Sequence, residues 1–259
     1  MTAAVRSAVI LAAGQGKRLR AEVSGYPKGF LRLGDRPIVE ESVLRLLTVG
    51  IAEVVIVTGY SAGHYEALAK AYPGWIRTVH NAEFAHSGSM YSLYCARDAL
   101  RGPFLLLESD LIYEPRALEV LLAQEAADAV LLSGPTGAGD EVHVEAPGGL
   151  LRAMSKDRAQ LGPEVAGELV GISLISAPLF ALMQRIAARA FRKSLAFDYE
   201  TDCLVAAGRE RPIACPLVPD LLWGEIDDPA QLRRARSGLY RQITALDAAA
   251  RNGIAPRGH

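Results

Sequence analysis

The chain has 259 residues, enough to bury a full core, and half are apolar while 22% are charged, the balance of a soluble globular protein. A formal net charge of −1 disfavours a broadly basic nucleic-acid binder, and no run of roughly 18 apolar residues is present to span a membrane. Cys95, Cys203 and Cys215 are scattered with no C-x-x-C pair, which argues against a disulfide framework or a zinc site and for a reducing cytoplasm.

Ser7 to Leu11 predicts a buried first strand. After Arg6 the apolar run superficially resembles a signal peptide, but it is short and leads into Gly-Gln-Gly-Lys-Arg, which no cleavage site explains. The strand empties into a small-residue loop carrying Gly14 and Gly16, followed by Lys17, Arg18, Arg20 and Lys28. Glycines let backbone N–H groups approach an anion closely, and the cations neutralise it. A P-loop would need Ser or Thr after its lysine, and Arg18 follows Lys17; the dinucleotide fingerprint would need a third glycine where Leu19 stands. A plain turn with a solvated basic face is the competing reading, and the gathering of cations favours a phosphate or nucleotide site.

Further along, Pro37 opens a helix over Ile38 to Leu47, Val54 to Thr58 is a strand stopped by Gly59, and Ala62 to Tyr72 is a helix. A strand near Ile76 to His80, a helix over Tyr91 to Leu100 and a buried strand over Phe104 to Leu107 follow. Pro115 to Gln124 reads as a helix and Ala129 to Ser133 as a strand. This alternation predicts an α/β fold: a three-layer, mostly parallel central sheet with helices on both faces. After the Pro135 to Asp140 loop, Val142 to Ala146 and Leu150 to Met154 predict a hairpin about Pro147-Gly148-Gly149. A strand over Glu168 to Ser176, helices near Leu179 to Ala190 and Tyr199 to Ala207, and a strand into Trp223 to Asp228 come next. Pro229 starts the last helix, and the tail from Arg251 reads as loosely held. We read one domain over residues 1–259, with a nucleotide-binding half to about residue 134, an acceptor-binding half over about 135–227, and a closing helix and tail over 228–259.

Asp110 falls at the carboxyl end of a buried strand, the edge where open α/β sheets bind ligands. Asp227 ends the last strand, with Glu225 two residues earlier. Two such acids meeting at the sheet edge suit a hard cation such as Mg²⁺. Helix capping competes for these aspartates, and it is assigned to Asp228, before Pro229. Asn81 and Gly88-Ser89-Met90-Tyr91-Ser92 supply small polar groups before a helix, with Ser89 suited to capping or to a ribose or base. Tyr199, Glu200 and Trp223 are candidate walls of a second pocket, with burial in the core as their competing fate. The histidines neither cluster nor pair at metal spacing, and no nucleophile elbow is present.

Leu11-Ala12-Ala13-Gly14-x-Gly16-x-Arg18-Leu19 with Pro27-Lys28 resembles the nucleotidyltransferase superfamily of nucleoside-diphosphosugar transferase-like (GT-A-like) fold. Pro27 to Leu31, Gly88 to Met90, Leu106 to Tyr113, Gly139 to Val142, Ser155-Lys156, Gly167 to Ile172, Tyr199-Glu200 and Trp223 to Asp227 resemble the 2-aminoethylphosphonate cytidylyltransferases, close to the phosphocholine cytidylyltransferases. The resemblance implies that Leu11, Ala12, Ala13 and Gly14 face cytosine and ribose, with Gly88 and Ser89 near the nucleoside. Gly16, Lys17, Arg18 and Lys28 would hold the triphosphate, and Asp110, Asp227 and Glu225 the Mg²⁺. Asp140, Lys156, Glu168, Tyr199 and Glu200 would form the acceptor side. It also implies a free-standing enzyme.

The expected reaction is attack of an acceptor oxygen on the α-phosphorus of CTP with loss of pyrophosphate, assisted chiefly by Lys28, Arg18 and Asp110. The expected partners are CTP and a small phosphonate or phosphate-ester acceptor, with no nucleic acid and no membrane, and a homodimer is left open. The acids of the second half outnumber its aromatics, which favours a primary ammonium over trimethylammonium. A phosphocholine cytidylyltransferase, a sugar-1-phosphate nucleotidyltransferase and a non-catalytic nucleotide sensor are the alternatives.

Overall fold

In the computed structural model, residues 4–19 and 25–253 are described. Arg20 and the tail past residue 253 lie outside them. The strands are β1 (Ser7–Ala12), β2 (Glu53–Thr58), β3 (Ile76–His80), β4 (Phe104–Glu108), β5 (Leu111–Tyr113), β6 (Ala129–Ser133), β7 (His143–Glu145), β8 (Ala153–Ser155), β9 (Val165–Ile175), β10 (Leu217–Val218) and β11 (Trp223–Glu225). The main helices are α1 (Ile38–Thr48), α2 (Ala62–Ala71), α3 (Ser89–Cys95), α4 (Arg116–Leu122), α5 (Ala177–Ala190), α6 (Pro229–Arg234) and α7 (Tyr240–Gly253).

The central sheet runs β10-β6-β9-β4-β1-β2-β3. Strands β4, β1, β2 and β3 are parallel, and only β9 on this path runs against its neighbours. Alternation along β1 explains the three layers. Val9 and Leu11 face a core shared with Met90 and Leu93 of α3 and Leu179, Phe180 and Met183 of α5. Ala8, Ile10 and Ala12 face the opposite core, with Val39, Val43 and Leu46 of α1, Tyr65 of α2 and Leu118 of α4. Both faces of β1 are therefore covered, as its unbroken apolar run requires.

Three features depart from the sequence reading. The helix expected over Tyr91 to Leu100 starts at Ser89, where Gly88 is extended, and it yields to a 3-10 turn over Arg97–Ala99. The hairpin pairs β7 with β8, but its turn is longer than Pro147-Gly148-Gly149, because Leu150 and Leu151 bond Ala214 and Ile213 instead. The last helix is divided by a π-helical segment, Ala235–Leu239, between α6 and α7.

The element that matters most for the site was not anticipated. Strand β5 pairs antiparallel with β11, placing Glu225 opposite Leu111 in a two-stranded sheet beyond the end of β4. The N–H of Ile226 donates to the carbonyl of Asp110 at 3.1 Å. Asp110 and Glu225, 115 positions apart, are thus brought to one edge by backbone pairing, without relying on their own side chains.

Candidate active site

The end of β1 opens one cleft. Gly16 has φ +56°, and a Cβ there would lie 2.9 Å from Cγ of Lys28, so the glycine gives the lysine stem its path. Pro27 is extended and starts the 3-10 turn Lys28–Phe30. From that turn the Lys28 ammonium reaches Oδ2 of Asp110 at 2.8 Å and also contacts Asp227. Arg18 pairs with Asp227 and lies 3.5 Å from Oδ2 of Asp140. Burial works against the charge on Lys28, but Asp110, then Glu225 and Glu108, hold its pKa above the ordinary lysine value.

This cleft, open to solvent, spans about 850 Å³ and is lined by residues of several strand ends and loops. Of the sequence-predicted nucleotide residues it is lined by Leu11, Ala13, Gly14, Lys28, Gly88 and Ser89, together with the acids Asp110, Asp227 and Glu225. Ala12, Gly16 and Arg18 are not in its wall; Ala12 is buried and Arg18 half-exposed. Lys17 begins a 3-10 turn, Lys17–Leu19, closed by Leu19 N–H to the Gly16 carbonyl. Gly88 abuts a second loop so closely that a Cβ would sit 2.5 Å from the Phe197 carbonyl oxygen. Ser89 binds that same loop: its hydroxyl donates to Oδ1 of Asp198 at 3.1 Å and accepts the Tyr199 N–H at 3.0 Å.

A second cleft of about 790 Å³ adjoins the first. Glu108 and Glu225 line both, so the two share a wall. Asp140, Lys156 and Glu200 line it, as does Trp223, whose indole N–H donates to the Ser133 hydroxyl at 2.7 Å. The acidic lining is Glu108, Asp140, Glu141, Glu200 and Glu225, against the cations Lys156 and Arg234. Two sequence-predicted acceptor residues lie elsewhere. Glu168 is buried and its carboxylate accepts the Thr136 N–H at 2.8 Å, holding the 135–139 loop against β9. Tyr199 is fully buried beneath the wall, and burial, then Glu200 and Glu108 beside it, raise its phenol well above the usual range.

Glu108 is the residue to which sequence reasoning gave no role. Its carboxylate, with those of Asp110 and Glu225, offers oxygens within 4.8 Å of one another. Register could have found it, because Glu108 pairs with Leu11 across β1 and β4 and so ends at the same sheet edge. Burial, then Glu200, Glu225 and Asp110, hold Glu108 well above the usual carboxylate range. Burial and Asp110 push Glu225 up to about 7, with Lys28 opposing the rise. Glu108, Asp110 and Glu225 form a donor set that can hold a cation, whereas Asp227, expected among the metal ligands, is not part of that group and is paired with Lys28 and Arg18.

Asp228 caps α6 as expected, accepting the N–H groups of Ala230 and Gln231 in a capping box. Asp227 is thereby left to face the cleft. Asp110 caps nothing: α4 begins after Pro115 with no side-chain cap.

Known proteins resemble the chain along most of its length. It is 34% identical over 244 residues to a CMP-5'-(3-aminopropyl)phosphonate synthase of Streptomyces rubellomurinus, covering 88% of this chain and 38% of that protein. It is 31% identical over 99 residues to a choline-phosphate cytidylyltransferase of Streptococcus pneumoniae (38% of this chain, 42% of the relative) and 30% over 117 residues to a 2-aminoethylphosphonate cytidylyltransferase of Lancefieldella rimae (42% and 47%). The chain therefore spans less than half the length of each of these relatives. The solved inositol-1-phosphate CTP transferase of T. maritima shares the fold, with a TM-score of 0.79 at 20% identity over 94% of this chain and 98% of that one. With a family model matching residues 8–237, the chain belongs to the MobA-like NTP transferase domain family.

Proposed function

We propose that the protein is a Mg²⁺-dependent cytidylyltransferase that couples CMP to 2-aminoethylphosphonate and releases pyrophosphate. The observation that carries this reading is the pair of clefts meeting at Glu108 and Glu225, with Lys28, Asp110 and Asp227 on the first cleft's wall. A single domain serves both substrates: residues up to about 134 supply most of the nucleotide side, residues 135–227 most of the acceptor side, and the helices from residue 228 to 253 close it.

The first cleft takes CTP, with Leu11, Ala13, Gly14 and the Gly88-Ser89 turn against the nucleoside, Lys28 on the phosphates, and the Gly16 to Arg18 loop beside them. Magnesium suits the donors, since Asp110, Glu225 and Glu108 offer hard carboxylate oxygens close to one another, and Asp227 joins them in this reading from its place on the same wall. When bound, it neutralises and orients the α-phosphate. A phosphonate oxygen is already anionic near neutral pH, so its attack on the α-phosphorus needs no general base. The obstacle is repulsion between two polyanions, which Lys28 and Arg18 reduce while the two clefts hold the reactants at their common wall.

The acceptor's ammonium offers three N–H donors, and the second cleft answers with carboxylates, including Glu200, Asp140 and Glu141. Lys156 serves the anionic end. The names of the aminopropylphosphonate and aminoethylphosphonate relatives agree with this chemistry. Trp223, an aromatic on the same wall, makes phosphocholine the second reading.

The test is pyrophosphate release from each nucleoside triphosphate, with aminoethylphosphonate, phosphocholine or a hexose 1-phosphate as acceptor. Fastest release with CTP and aminoethylphosphonate is expected. Preference for the hexose 1-phosphate assigns a sugar nucleotidyltransferase, and no release with any pair assigns a nucleotide sensor.

A further inference from the structure

Lys28, Glu108, Asp110, Glu225 and Asp227 account for the charged part of the first cleft. The rest of its wall includes Leu11, Ala13, Phe84, Ser87 and Ser92, uncharged groups of the kind that can hold a base. Behind the two serines lies Asn81, which is wholly buried. Its Oδ1 accepts the N–H of Glu83 at 2.9 Å. That backbone donor fixes the amide orientation, because a flipped amide would set N–H against N–H. Nδ2 must then face the serines, and it donates one hydrogen to Ser87 Oγ and one to Ser92 Oγ, each at 3.0 Å.

A serine hydroxyl that accepts from a fixed donor still has its own hydrogen to give. Among the described residues neither hydroxyl donates to a protein acceptor. Both serines line the cleft, so their hydrogens are available to whatever fills it. We infer that Asn81 is a positioning residue that sets Ser87 and Ser92 as hydrogen-bond donors toward the nucleobase, and that this polarity selects cytosine over uracil. Cytosine presents two adjacent acceptors, O2 and N3, whereas uracil presents a donor, N3–H, beside O2. A donor facing N3–H leaves a buried pair unsatisfied, and such mismatches discriminate strongly. The inference rests on the cytidylyltransferase reading and adds the source of its base preference.

The decisive substitution is Asn81→Asp. The carboxylate keeps the Glu83 N–H at one oxygen but has no hydrogen for the serines, so their hydroxyls turn to donate inward and present lone pairs to the base. Initial rates of pyrophosphate release with CTP and with UTP give the ratio of their kcat/KM values, which a general loss of folded enzyme leaves unchanged. The wild-type ratio favours CTP, and Asn81→Asp lowers it by about 10- to 100-fold, mainly through KM for CTP. Ser87→Ala and Ser92→Ala, each removing one donor and little volume, lower the ratio by smaller factors and carry the test if Asn81→Asp does not fold. A wild-type preference for CTP that these variants leave unaltered overturns the relay while sparing the cytidylyltransferase reading. A wild-type enzyme that does not prefer CTP overturns that reading, and the relay with it.

Discussion

The two clefts share a wall but differ in how the chain builds them. Most of the first is assembled from strand ends and the loops beside them, Leu11, Ala13 and Gly14, Lys28, Ser87 to Ser89, Ser92 and Glu108 to Asp110, and its ion pairs are already formed. The second draws on β5, the 135–142 loop, Lys156, β9, Glu200, β11 and α6, and its acids outnumber its cations. The difference separates a motif from an assembly. On the proposed reading, phosphate chemistry is common to many acceptors and fits a local loop with fixed cations, whereas acceptor identity rests on side chains gathered from distant segments.

The largest effect should come from the shared edge. Lys28→Ala removes the cation between Asp110 and Asp227, and kcat for pyrophosphate release should fall by roughly 100- to 1,000-fold, about 2.7–4 kcal/mol. Near-normal turnover in the purified variant would remove Lys28 from the mechanism. A control remote from both clefts sharpens the contrast. Arg45 is buried and binds Asp247 of α7 through Nε at 3.0 Å and Nη2 at 2.6 Å. Asp247→Ala strands that guanidinium, leaving Glu41 at 3.6 Å as its remaining ion-pair partner among the described residues, and should cost about 3 kcal/mol in chemical denaturation. Its kcat at low temperature should stay close to that of the parent.

Smaller effects probe the acceptor side. Glu200→Gln should raise KM for aminoethylphosphonate roughly tenfold, about 1.5 kcal/mol, with a lesser rise for phosphocholine, which has no N–H to lose. Equal rises for both would detach Glu200 from ammonium recognition. The smallest is structural: Asp228→Ala breaks the capping box of α6, costing about 1 kcal/mol, and Tm by differential scanning should drop about 2–4 °C.

What the sequence disclosed follows the same division. The β1 strand, the glycine loop and Lys28 lie within one short segment, and the apolar alternation that makes strands parallel and buried is a local pattern. Asp228 was readable as a cap from the proline after it. Strand β5 was not readable, because its importance comes from pairing with β11, far away in the chain, and Glu108 becomes visible only once the register of β4 against β1 is considered. Glu168 and Tyr199 show the converse. Acidic and aromatic side chains near a motif look available to a ligand, yet one is committed to a loop amide and the other lies beneath the wall.

Gln231 carries a consequence for how the halves can move. Its side-chain oxygen accepts the N–H of Asp227 at 2.6 Å and of Asp228 at 3.2 Å, while its amide nitrogen donates to Oδ1 of Asp140 at 2.7 Å. One amide group therefore couples an aspartate of the first cleft to one of the second. Displacing the loop that bears Asp140 would pull on the turn that carries Asp227.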